Sequence, residues 1–230
     1  MLLTTEGIVL NTTKYGDSSY ISKIFTLEKG IISTITNRSK SSKKHLYLQA
    51  FVCVDLTCYV KQSKNIHRIK EIGFSKLFNY DSNNVVKTSV SFFIAEFLSK
   101  IIKEEEQNTV LYHYLKSVLY SLTSSEKVDS WFLVNFLTLL TKHLGIVPEL
   151  NKPFICFDLL NAEFISKFPN HKTYISGEEA IAFYKAFSSE GELSSSERKG
   201  LIKNLLHYYS IQLDNTIHLK SLPIIEVIFT

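Results

Sequence analysis

Over the first 75 residues the apolar positions come in short runs of β-branched and aromatic side chains, and beyond Asp81 they return every three or four residues. The first pattern predicts strands at Glu6 to Thr12, Tyr20 to Leu27, Ile31 to Thr36, Phe51 to Val60 and His67 to Ile72, each bounded by turn residues. Glu28-Lys29-Gly30 is a hairpin connection with glycine free to take a positive φ, and Gln62-Ser63-Lys64-Asn65 joins the last two strands. Five short strands in about 75 residues, with a longer interruption after the third, predict a small closed barrel of OB type.

The second pattern predicts helices. Val86, Val90, Phe93, Ile94, Phe97, Leu98, Ile101 and Ile102 share one face, with the run Glu104-Glu105-Glu106 closing that helix against its own dipole. Leu111, Tyr114, Leu115, Val118, Leu119 and Leu122 predict a second helix, and Trp131 to Leu144 a third that is apolar around most of its circumference. Gly145 and Pro148 stop it. Periodicity is lost from Glu149 to Thr173, an ordered loop with room for a short hairpin. Ser176 with Glu179 and Ser194 with Glu197 have capping-box spacing and open two further helices, and the apolar tail Leu219 to Phe229 docks on the bundle. The fold class is therefore α+β: an OB barrel over 1–80, then a helical domain over 81–230 with a non-helical insert at about 149–173.

Composition narrows the function. A 45% hydrophobic and 13% aromatic content belongs to a folded chain, and no apolar run reaches the roughly 18 residues of a membrane span. The start of the chain lacks a secretion signal and the three cysteines are scattered, which predicts a cytoplasmic protein without disulfides. There is no glycine-rich phosphate loop, nucleophile elbow or H-E-x-x-H, the seven histidines are dispersed, and no cofactor, small-molecule substrate or enzyme activity is expected. Cys53 and Cys58 point to opposite faces of one strand, one into the core and one to the surface.

Charge supplies the positive signal. Residues 1–80 carry 12 Lys/Arg against 5 Asp/Glu, a net of +7, and residues 81–230 carry 14 against 17, a net of −3. Arg38 to Lys44 holds four cations in seven residues, spaced by serines, between two strands. Such a run is either a plain solvated loop or a phosphate clamp. The wider set of Lys14, Lys23, Arg38, Lys40, Lys43, Lys44, Lys61, Lys64, Arg68 and Lys70 is interleaved with Tyr15, Tyr20, Tyr47 and Tyr59, the combination by which barrels hold single strands. Each tyrosine taken singly reads equally well as barrel core.

Several motifs in order carry a resemblance. T-E-G-I-V-L (Thr5 to Leu10), K-Y-G-D (Lys14 to Asp17), F-T-L-E-K-G-I-I-S (Phe25 to Ser33), H-L-G (His143 to Gly145), P-E-L (Pro148 to Leu150) and L-K-S-L (Leu219 to Leu222) together resemble the bacterial RecO family of recombination mediators. The resemblance implies binding to single- and double-stranded DNA, annealing of complementary strands, and partnership with RecR, with the C-terminal tail of single-strand-binding protein and, indirectly, with RecA. Arg198, Lys199 and Lys203 are candidates for receiving that acidic tail, against a solvated helix face as the plainer reading. The chain departs from the family at Asn37-Arg38-Ser39-Lys40, where Lys-Gly-x-Arg is usual. It also has Pro153 where zinc-binding members have their first cysteine and only Cys156 of the rest, so no zinc is expected and Phe154, Ile155, Phe157, Leu159 and Phe164 replace it by packing. The alternative is a barrel that serves protein interaction, or binds RNA, without annealing.

Overall fold

A computed structural model describes residues 1–37, 44–60, 65–76, 84–102, 106–188 and 190–229. They form two compact units, Met1–Val128 and Asp129–Thr230. Arg38, Lys40, Lys43, Lys61 and Lys64 lie outside the described residues.

The first unit begins with β1 (Leu2–Tyr15), β2 (Ser19–Thr26), β3 (Gly30–Asn37), α1 (Lys44–Tyr47), β4 (Cys53–Tyr59) and β5 (Ile66–Phe74). The strands close in the order β1-β2-β3-β5-β4, every ladder antiparallel except β3 with β5, as an OB barrel requires. β1 is longer at both ends than the sequence pattern suggests because it closes the barrel alone: Leu2 to Ile8 pair with β4 and Gly7 to Tyr15 with β2. Val9, Ile24, Ile32, Val54, Leu56, Cys58 and Ile69 fill the interior, with Leu48 beside α1 added to them. Tyr20 and Tyr47 also pack on this core, Tyr47 meeting Phe74 edge-on at 4.7 Å.

Gly7 is where the interior is tightest. A Cβ there would lie 2.6 Å from Ile24 Cγ2 and 3.3 Å from Leu56 Cδ2. Overfilling a close-packed barrel forces side chains off their rotamers, so Gly7→Ala is expected to cost about 1–3 kcal/mol, read as a lowered thermal midpoint. An unchanged midpoint would mean that β1 and β2 separate freely at this rung.

Ile8, Leu10, Phe25, Phe51 and Cys53 are buried although several face outward from the barrel, because α2 (Val85–Ile101) and α3 (Thr109–Ser124) belong to the same unit. Phe25 meets the Tyr112 ring at 6.0 Å, and Cys53 Sγ lies 3.8 Å from Tyr112 Oη. Cys53 and Cys58 do face opposite ways, but Cys53 is not the surface thiol expected: α3 covers it, and burial pushes it up to about 12. Asn84 and Asn108 cap the two helices, accepting from Lys87 N at 3.0 Å and Leu111 N at 2.9 Å. α2 ends at Ile101, so the glutamate run follows the helix instead of forming its last turn.

One ion pair ties α3 to the barrel. Lys116 Nζ donates to Glu6 Oε2 at 2.7 Å and Oε1 at 3.0 Å, and Ser75 Oγ donates to Oε1 at 2.5 Å. Burial pushes the Glu6 carboxyl up, but the hydrogen bonds from Lys116 and Ser75 and the lysine charge outweigh it, and it titrates below its ordinary 4.5. For Lys116 burial pulls down, while Glu6 lifts it above 10.5. The sign follows from linkage: the Glu6 contribution is complete above pH 4.5 and lost as pH falls through the lower native value, and the Lys116 contribution is lost as pH rises through its higher one. Lys116→Met strands a half-buried carboxylate and is expected to cost about 1–3 kcal/mol at neutral pH. Its loss shrinks in acid, where Glu6 is protonated, and melts of both proteins from pH 3 to 8 check this.

The second unit holds α4 (Phe132–Leu144), β6 (Cys156–Asp158), β7 (Glu163–Ile165), β8 (Tyr174–Ser176), α5 (Gly177–Ser188), α6 (Ser195–Gln212) and α7 (Leu222–Ile228). Gly145 ends α4 at φ 70°. The non-helical insert contains a three-stranded antiparallel sheet, ordered β7-β6-β8. The Ser194–Glu197 capping box forms, with Ser194 N donating to Glu197 Oε2 at 2.7 Å and Glu197 N to Ser194 Oγ at 3.3 Å. The expected Ser176–Glu179 box does not: Ser176 pairs with Cys156 as the last residue of β8, and α5 opens at Gly177, φ 59°. The apolar tail becomes α7, anchored by Ile225 and by Ser195 Oγ donating to Phe229 O at 3.0 Å. No helix among the described residues is long and apolar enough to cross a membrane.

Candidate nucleic-acid interface

A β-bulge decides which side chains the barrel shows to solvent. Leu10 is inserted between Val9, which pairs with Ile24, and Asn11, which pairs with Lys23. Val9 points inward; without the extra residue Asn11, Thr13 and Tyr15 would follow it inside. With it they turn outward, and Thr12 turns in, where its hydroxyl lies 2.9 Å from that of Ser22.

Register then lines outward positions up in three rungs. The first runs Tyr15, Ser19, Asn37; the second Thr13, Ile21, Ile35, Arg68, Tyr59; the third Asn11, Lys23, Ser33, Ile66. Tyr15 is 59% exposed and Tyr59 47%, and Lys23 and Arg68 are exposed. No carboxylate stands on any of the three rungs. Among the described residues Lys14, Lys23 and Arg68 enter no ion pair. The chain leaves β3 at Asn37, on the first rung, directly into residues 38–43, and leaves β4 next to Tyr59, on the second, into residues 61–64, so both basic connections start from this face.

The residues singled out from the sequence separate accordingly. Tyr15, Lys23 and Arg68 share the face with Tyr59. Lys14 pairs with Tyr20 and has the opposite, inward parity, exposed only because β1 ends there. Lys44 opens α1, half-buried, and Lys70 is held 3.5 Å from Glu71. Missing from the sequence-derived set were Tyr59 as a site residue and Ile21, Ile35 and Ile66, which period-two reading could have placed outward only with the register known.

In the second unit Arg198, Lys199 and Lys203 lie on α6. The Arg198 guanidinium sits over the Trp131 ring, 5.7 Å from its centroid, and donates to Leu193 O, and Lys203 pairs with Glu226 at 2.8 Å. The insert does not fit a zinc ion: Cys156 Sγ donates to Lys167 O at 3.7 Å, and among the described residues no three His, Cys, Asp or Glu groups converge. Rings occupy the region, Phe154 against Phe164 and Phe157 against Phe164 at 4.8 and 4.6 Å. Of the residues expected there, Ile155 is instead 44% exposed, because its neighbours Phe154 and Cys156 take the inward positions.

A closed five-stranded barrel with a carboxylate-free face of cations and rings, followed by helices, defines an OB-barrel protein with a helical body. The family models described as Recombination protein O N terminal and Recombination protein O C terminal match residues 1–78 and 82–223. Among similar proteins are the DNA repair protein RecO of Flavobacterium psychrophilum, 30% identical over 242 residues, and that of Phocaeicola vulgatus, 30% over 241. That of Porphyromonas gingivalis is 29% identical over 251 residues, and in all three comparisons 100% of both chains is covered. The chain belongs to the RecO family of recombination and DNA repair proteins.

Proposed function

We propose that this protein is a DNA-binding recombination mediator that anneals complementary strands and does no bond-making itself. The observation that carries the reading is the outward barrel face, on which Lys23 and Arg68 stand among exposed aromatic and β-branched side chains with no acid beside them. Two strands repel because each is a polyanion. Cations that neutralise phosphate lower that repulsion, and contacts indifferent to sequence let the strands slide until they find register. Neither step needs a nucleophile, a general base or a metal. The same reading assigns phosphate contact to the basic connections 38–44 and 61–64. It makes RecR the partner in loading RecA, and sets the acidic tail of single-strand-binding protein against Arg198, Lys199 and Lys203.

The test is annealing of complementary oligonucleotides coated with single-strand-binding protein, followed by titration of salt. Annealing is expected, with an affinity that falls by about 0.7–0.9 decades per decade of salt for each phosphate neutralised. Reversing Lys40, Lys43 and Lys44 to Glu should abolish annealing and leave RecR binding intact; the opposite pattern would make the barrel a protein-interaction module.

A further inference from the structure

The outward face is not uniformly suited to phosphate. Its second and third rungs set Ile21, Ile35 and Ile66 beside Arg68, Tyr59 and Lys23. Neighbouring strands are about 4.8 Å apart and successive rungs about 6.7 Å, so ring, apolar and cationic positions recur at the scale of single nucleotides. We propose, on the basis of the DNA-binding reading above, that the face divides the work. Tyr15 and Tyr59 stack unpaired bases while Lys23 and Arg68 hold phosphate, so affinity for single strands and affinity for duplex reside in separable residues of one barrel.

The physical reason is accessibility. In a duplex each base face is covered by its neighbours in the stack, and a tyrosine ring on the convex outside of a closed barrel cannot reach one. The isoleucines gain nothing from phosphate either. A single strand offers both a charged backbone and uncovered rings, and every base has a π-face, so this strip reads no sequence. Charge complementarity favours a nucleic acid over an acidic peptide here, because a peptide supplies carboxylates without a regular run of planar rings.

The experiment measures binding of the full chain to three probes at fixed salt: a strand of about 20 thymidines, longer than the footprint of one such barrel, an abasic strand of equal length, and the matching duplex. The wild-type chain is expected to prefer the thymidine strand to the abasic one. Tyr15→Ala with Tyr59→Ala should lower thymidine-strand affinity by about fivefold or more per tyrosine. It should erase the preference over the abasic strand and leave duplex affinity and the salt slope unchanged. Tyr15→Phe with Tyr59→Phe keeps the rings and should behave as wild type. Equal losses on strand and duplex, or a wild type that binds thymidine and abasic strands alike, overturn the division of labour while leaving DNA binding itself standing. A wild type that binds none of the probes removes the parent reading along with it.

Discussion

Replacing Lys23 and Arg68 together by Glu is expected to weaken single-strand binding by about 20-fold or more at ~0.1 M salt, and to lower the slope of affinity against salt by about 1.4 decades per decade. The figure rests on two phosphates left without a cation, at about 0.7 each, and on neither cation being committed to a protein carboxylate that would compete for it. Both side chains are exposed at non-core positions of β2 and β5, so the thermal midpoint should stay within the range of ordinary surface substitutions. Lys70→Glu is the internal control. Lys70 already sits 3.5 Å from Glu71 and should change the slope less than either other cation. If the double reversal leaves the slope where it was, phosphate is held elsewhere and the barrel face is not the interface.

The second large effect concerns stability. Phe157 is fully buried at the centre of the three-stranded sheet, 4.6 Å from the rings of both Phe164 and Phe183 and 5.6 Å from Tyr208. Phe157→Ala removes the ring and leaves a cavity whose walls belong to β7, α5 and α6, none of which can collapse into it without moving the others. The expected cost is about 3–5 kcal/mol, a large share of the ~5–15 kcal/mol that holds a typical domain folded. The single tryptophan, Trp131, lies in the same unit, so its fluorescence in urea reports this loss directly. Phe157→Leu should lose about half as much. Because packing and not metal holds the insert, EDTA should leave the wild-type midpoint unmoved; a chelator-sensitive midpoint, or an alanine variant within about 1 kcal/mol of wild type, would contradict this account.

Where the structure departs from the pattern of the chain, a contact distant in sequence is usually responsible. Cys53 reads as a surface thiol because alternation along β4 turns it outward; Tyr112, 59 residues away, covers it. Ser176 and Glu179 have capping spacing, yet Ser176 is taken by the ladder to Cys156. Lys70 counts as a free cation until Glu71, its neighbour on the bulged part of β5, is seen to claim it. The Ser194–Glu197 box, by contrast, needs only the four residues that form it, and it appears where the spacing puts it.

Local periodicity, turn residues, composition and the order of short motifs were enough to place the five strands, their closure into a barrel, most of the helices, the positive charge of the first 80 residues and the family. They could not say which tyrosines are core and which face water. In the folded chain Tyr20 and Tyr47 go inside and Tyr15 and Tyr59 outside, for the reason that facing in a strand has a period of two and one inserted residue, Leu10, inverts everything beyond it. Whether that residue is inserted is settled by the partner strand, which alternation along β1 does not contain.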